Sequence, residues 1–130
     1  MTPRREVIAG PDVPKPLGPY SPGVRAGEFL YVAGQAGTDP ATGEPAGNKM
    51  IDQARQAMRN VEAVLQAGGS RPDLVVNVTV LVADIAEFAQ VNEIFGETFP
   101  NEPPARMTMQ VPLPRGLLIS VGCVALVDRA

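Results

Sequence analysis

The densest run of β-branched residues, Leu74-Val75-Val76-Asn77-Val78-Thr79-Val80-Leu81-Val82, predicts a strand, because branching at Cβ disfavours helix and the length suits a central place in a sheet. Alternation puts Val76, Val78, Val80 and Val82 on one face and Val75, Asn77, Thr79 and Leu81 on the other. The first face asks for cover by helices. The second, mixed face would be met by another copy of the chain, so an oligomer is expected. Upstream, Ile51, Ala54, Met58, Val61 and Leu65 recur at helical spacing, with Gln53, Gln56, Arg59, Asn60 and Gln66 elsewhere around the wheel and Gly68-Gly69 as a stop. Downstream, Asp84 and Glu87 resemble a capping box, after which Ile85, Phe88, Val91 and Phe95 trace a second helix.

Three further strands complete the pattern. Phe29-Leu30-Tyr31-Val32-Ala33 is rich in strand formers and runs into the loop Gly34-Gln35-Ala36-Gly37. Residues 105–111 and 117–127 read as two strands joined as a hairpin through Pro112-Leu113-Pro114-Arg115-Gly116. The opening is proline-rich (Pro11, Pro14, Pro16, then Pro19 and Pro22), which predicts an irregular arm over 1–16 that leads to Tyr20 and Ser21 on a stiff backbone. The order strand, helix, strand, helix, strand, strand predicts an α+β fold, with two helices packed on one face of a single β-sheet and one domain over residues 1–130.

Composition narrows the chemistry. At 45% hydrophobic residues and a mean hydropathy of +0.03, the 130-residue chain is globular rather than disordered. No unbroken apolar stretch approaches the ~20 residues of a membrane span, and Met1-Thr2-Pro3-Arg4-Arg5-Glu6 precedes no apolar signal core, so a cytoplasmic protein without membrane contact is expected. The single cysteine, Cys123, lies in an apolar strand and reads as a small hydrophobe. Histidine is absent, which removes the usual acid–base group at neutral pH, the common Ser-His and Cys-His pairs and most zinc sites. With 11 basic and 14 acidic residues, a net charge of -3 gives no pull toward nucleic acid.

Arg106 stands in the otherwise uncharged strand 105–111, with nothing nearby in sequence to neutralise it. Its planar fork matches a carboxylate and cannot shed its proton, so it fits an anion site; an exposed strand position or a structural ion pair would satisfy the same residue. Similar alternatives hold elsewhere: Tyr20 could cap an apolar edge, Asn92 could serve a neighbouring backbone, Gly34 could answer only to turn geometry, and Ser120 and Thr108 could be simple strand residues.

Four segments in order, Gly18-Pro19-Tyr20-Ser21, Val32-Ala33-Gly34-Gln35, Phe88-Ala89-Gln90-Val91-Asn92 and Pro104-Ala105-Arg106, resemble the Rid family of enamine/imine deaminases, from about Gly18 to Leu126. The resemblance implies a chorismate-mutase-like fold and a homotrimer with sites in the clefts between subunits. It implies that Arg106 binds the substrate carboxylate, Tyr20 lines the pocket, a backbone amide near Gly34 assists, and Asn92 lies on the pocket side. It further implies hydrolysis of 2-imino or 2-enamino acids to 2-keto acids and ammonia, with neither metal nor organic cofactor. Three positions depart from the family pattern: Ser120 replaces the glutamate that activates water, Thr108 the usual cysteine, and Ala33 the usual serine. Serine is no base unaided, so a trimeric carboxylate-binding protein without turnover is the second reading. Ribonuclease activity, attributed to some members, is disfavoured by the lack of histidine, of a basic patch and of aromatics for stacking.

Overall fold

The structure is a computed structural model that describes residues 3–128. Its elements are β1 (Arg5–Ile8), β2 (Gly23–Ala26), β3 (Phe29–Ala36), α1 (Met50–Ala67), β4 (Val75–Val82), α2 (Phe88–Thr98), β5 (Ala105–Gln110) and β6 (Ile119–Leu126), with short 3-10 turns at Pro72–Leu74 and Ile85–Glu87. All six strands join one sheet in the order β1-β2-β3-β6-β4-β5. Only β4 and β5 pair in parallel, and α2 makes the crossover between them. Because β3 and β4 both run antiparallel to β6, α1 makes a second crossover, and both helices cover the same face.

Burial of alternate residues drives this arrangement. Val78, Val80 and Val82 of β4 and Ile119, Val121, Cys123 and Ala125 of β6 point into the core. They meet Ala54, Met58, Val61 and Leu65 of α1 and Val91, Ile94 and Phe95 of α2. Each valine, leucine, isoleucine, methionine or phenylalanine side chain buried this way contributes about 1.5–3 kcal/mol. Among the described residues nothing covers the opposite sheet face: Tyr31 is 49% exposed, Met107 58% and Met109 41%.

The chain departs from the sequence reading at several places. Strand β1 lies inside the arm expected to be irregular over 1–16, of which residues 1 and 2 fall outside the described residues. It pairs with β2, a second strand the pattern does not suggest, and both are only four residues long. The 105–110 and 119–126 strands form no hairpin: β5 pairs with β4 on one side while β6 pairs with β4 on the other, so the proline-rich link crosses from the sheet edge to its interior. On β4 the register to β6 shifts between Val75 and Asn77, which buries Val75 and leaves Val76 40% exposed, the reverse of strict alternation. Strand β3 continues through Gly34 and Gln35 to Ala36 after a similar shift.

Two polar residues expected on the outer face of α1 are instead buried, Gln53 at 0% and Asn60 at 2% exposure. Gln53 Nε2 donates to the carbonyls of Gly47 (3.0 Å) and Gly116 (3.2 Å), while its Oε1 accepts from the Leu118 amide (2.8 Å). Asn60 Nδ2 donates to the carbonyls of Ala36 (3.0 Å) and Thr38 (2.9 Å). Buried amides persist only when bonded, and these tie the two long loops to α1.

Candidate functional site

Arg106 is placed by the parallel pairing of β5 with β4, which sets it opposite Val78 and turns its side chain to the helix-covered face. Because β5 is the sheet edge, the guanidinium lies beside α2 rather than under it and remains half-buried. Phe88, Asn92 and Phe95 project from α2 at i, i+4 and i+7, one face of a helix. The guanidinium carbon is 5.1 Å from the Phe88 ring centroid and 4.7 Å from that of Phe95. Between them, Asn92 Oδ1 accepts a 2.7 Å hydrogen bond from Arg106 Nη2. Ion pairs join Arg25 to Glu6, Arg55 to Glu97, and Arg71 to Asp73 and Asp128; none joins Arg106 to a carboxylate among the described residues. Of its five N–H donors one is engaged by Asn92.

Thr108, two residues on, shares that face, and its Oγ1 is buried with no hydrogen-bond partner among the described residues. Nothing in the fold explains that unpaired hydroxyl.

Gly34, Ala33 and Ser120 form a second group on the uncovered face. Ser120 alternates with buried Ile119 and Val121, which sends its side chain to the side away from the helices. A Cβ on Gly34 would lie 2.7 Å from Ser120 Oγ, so this hydroxyl rests on the bare Gly34 backbone. The ladder to β6 skips from Val32 to Gln35, leaving Ala33 and Gly34 without partners in its register. The Ala33 amide donates to the Pro22 carbonyl (2.9 Å), extending the pairing of β3 with β2 by one residue. Tyr20 belongs to neither group. It is 45% exposed, its Oη accepts from the Leu17 amide (3.0 Å), and its ring lines a groove of about 260 Å³ with Val7, Val13, Pro16 and Ser21.

One chain therefore brings Arg106 and Asn92 together and Gly34 with Ser120 together, but holds the pairs on opposite faces of the sheet. Tyr20 precedes β2, four strands from β5, a span of about 19 Å at the usual strand spacing. Phe88 and Phe95 carry no site signal in the sequence, because their helical spacing marks only a helix face and their arginine partner lies across the 99–104 loop on β5. Cys123 is buried on the core face, and burial pushes its thiol from 9.0 up to about 12, leaving it un-ionised. Among the described residues, no cluster of acidic or cysteine side chains could hold a metal ion, and no helix is long and apolar enough to cross a membrane.

Residues 11–127 match the family model described as Endoribonuclease L-PSP. The chain belongs to the Rid family. It is 42% identical over 122 residues to a RutC family protein of Pyrococcus horikoshii, covering 93% of this chain and 97% of that one. It is 39% identical over 123 residues to the human protein named 2-iminobutanoate/2-iminopropanoate deaminase, covering 94% and 90% respectively. Among solved structures, E. coli TdcF with bound serine superposes with a TM-score of 0.88 at 30% identity, covering 95% of this chain and 99% of that one. The α+β fold with one mixed sheet and two helices is that of these Rid structures.

Proposed function

We propose that this Rid protein hydrolyses small 2-imino and 2-enamino acids to 2-keto acids and ammonia, with Arg106 holding the substrate carboxylate. The observation that carries this reading is a half-buried guanidinium with no carboxylate partner among the described residues and most of its donors unengaged. The human relative's name points to 2-imino acids, and the ligand of TdcF is a small amino acid, which likewise bears a carboxylate beside its nitrogen-carrying carbon.

The chemistry asks little of the protein beyond positioning. A protonated imine is already electrophilic at C2, and a clamp on the adjacent carboxylate fixes that carbon for attack. Water adds to C2 as the C=N π electrons pass to nitrogen. One proton moves from the added oxygen to nitrogen; the C–N bond then breaks with its electron pair going to nitrogen while an oxygen lone pair forms C=O, and ammonia takes up the remaining hydroxyl proton, leaving a 2-keto acid and ammonium. An enamino acid first takes a proton at C3 to become the imine. Tyr20 would close the pocket with its ring, and the Gly34 backbone, Ala33 and Ser120 would form the opposite wall, with Asn92 and Thr108 on the arginine side.

This reading includes a homotrimer with sites between subunits. Arg106 and Gly34 lie on opposite faces of one sheet, so a second copy is needed to bring such a pair into one cleft. The apolar open face, with Tyr31, Met107, Met109 and Leu126, offers the surface for assembly.

Carboxylate binding without turnover is the second reading, favoured by Ser120, since no glutamate stands on β6 to activate water. Ribonuclease chemistry, which the family description names, finds no histidine and a net charge of -3. The deciding experiment follows freshly generated 2-iminobutanoate with wild type, Arg106→Ala and Ser120→Glu. Wild type is expected to exceed spontaneous decay and Arg106→Ala to match it. Ser120→Glu should raise the rate, by up to about 10²-fold. Wild type at the spontaneous rate leaves only the binding reading; equal rates above it for all three remove Arg106 from the mechanism.

A further inference from the structure

We propose that Phe88 and Phe95 are positioning residues for Arg106, gripping its guanidinium between their rings so that it meets a carboxylate with its aim already set. The inference rests on Arg106 as the anchor and adds what makes that anchor rigid.

The geometry is specific. Seven residues of helix at 1.5 Å each separate Phe88 from Phe95 by about 10.5 Å along the axis. The guanidinium carbon nevertheless lies 5.1 Å from one ring centroid and 4.7 Å from the other, so both side chains converge on it and each ring is within the ~6 Å of a cation–π contact. Guanidinium is weakly hydrated over its faces and strongly so at its N–H edge, so aromatic flanks displace water where least is lost. Asn92, midway along the same helical face, takes one N–H and fixes rotation about the remaining axis.

The two rings differ in support. Phe95 is 9% exposed and packs on Phe99, with ring centroids 4.7 Å apart at 50°, so the core holds it. Phe88 is 38% exposed at the start of α2, where burial alone gives no reason for an aromatic ring. The line of support runs from the core through Phe95 to Arg106, with Phe88 closing the outer side. A long, flexible cation held this way loses little freedom when substrate arrives, and freedom lost on binding weakens affinity.

Calorimetric titration with 2-oxobutanoate, and with its neutral amide as control, tests this on wild type, Phe88→Leu, Phe88→Trp and Arg106→Ala. Leucine fills similar space without a π face, whereas tryptophan presents the strongest one. Phe88→Leu is expected to weaken keto-acid binding about tenfold, and Phe88→Trp to restore it to within about twofold of wild type. Binding of the amide should be the same for Phe88→Leu and wild type. If Arg106→Ala abolishes keto-acid binding while Phe88→Leu binds like wild type, the positioning role is wrong and the anchor stands. The role is equally overturned if Phe88→Trp is as weak as Phe88→Leu, or if acid and amide lose affinity equally. Undetectable keto-acid binding by wild type, or binding undiminished in Arg106→Ala, overturns the anchor and this inference with it.

Discussion

An arginine at a sheet edge normally extends into water or meets a carboxylate, whereas half-buried Arg106 rests against two phenylalanine rings, and among the described residues its one side-chain hydrogen-bond partner is an amide oxygen. That is an unusual way to hold a permanent charge. A neutral acceptor leaves the charge uncompensated, so a carboxylate that enters the cleft keeps nearly its full attraction. On the other face Ser120 presses on Gly34, and any side chain at position 34 would displace its hydroxyl. Cys123 shows the opposite use of burial. Its thiol is pushed up to about 12, so the unfolded chain ionises at lower pH than the folded one. The contribution of this group is therefore constant below pH 9.0 and is lost as pH rises from 9.0 to about 12. Urea denaturation of wild type and Cys123→Ala should show the wild type losing relative stability across that interval, by up to about 1.4 kcal/mol per pH unit. A constant difference between the two would show that the thiol is not buried as described.

At the scale of elements, α1 does more than cover the sheet. Gln53 bonds its amide to three backbone groups, from Gly47, Gly116 and Leu118, and so joins the loop after β3 to the loop before β6. These loops flank Gly34 and Ser120, the ends of one wall of the proposed pocket. Gln53→Leu should cost about 3 kcal/mol in urea denaturation, since it strands several buried groups at once; a loss under about 1 kcal/mol would mean that water replaces the amide. Why such a residue escapes a sequence reading is clear from its partners, which lie 6 to 65 positions away. The wheel of α1 identifies Ala54, Met58, Val61 and Leu65 as core because their periodicity is local, but the same wheel sends Gln53 and Asn60 to solvent. Strands β1 and β2 are missed for a related reason: Arg5, Glu6 and Arg25 break apolar alternation, and backbone pairing holds the strands in place. The hairpin expected between β5 and β6 fails because turn-forming residues record only that the chain turns, not which strand it then joins. Short motifs single out Arg106, Asn92, Gly34 and Tyr20 as candidates, whereas the rings around Arg106 appear only once α2 is laid beside β5.

At the scale of the whole molecule, the division of residues between two sheet faces becomes the main constraint. The α2 side carries Arg106 and Asn92, the open side carries Gly34 and Ser120, and Tyr20 stands just before β2, four strands from β5. No rotamer change brings an arginine around its own strand to the other face. Catalysis by the proposed residues would therefore require that one subunit's arginine side meet another's glycine side, and the exposed apolar side chains of the open face are the surface on which that proposed association would rest. Co-refolding two singly inactivated chains tests this most directly, with Arg106→Ala as one and Gly34→Val as the other. If equal amounts of the two chains assemble at random into the proposed trimers, one cleft in each mixed trimer, and so about a quarter of all clefts, would pair an intact arginine with an intact glycine, and imine hydrolysis should recover to about a quarter of wild type from two inactive parents. Recovery at that level is the predicted result; mixed trimers as inactive as either parent would show that both residues act within one chain, and would contradict a cleft shared between subunits.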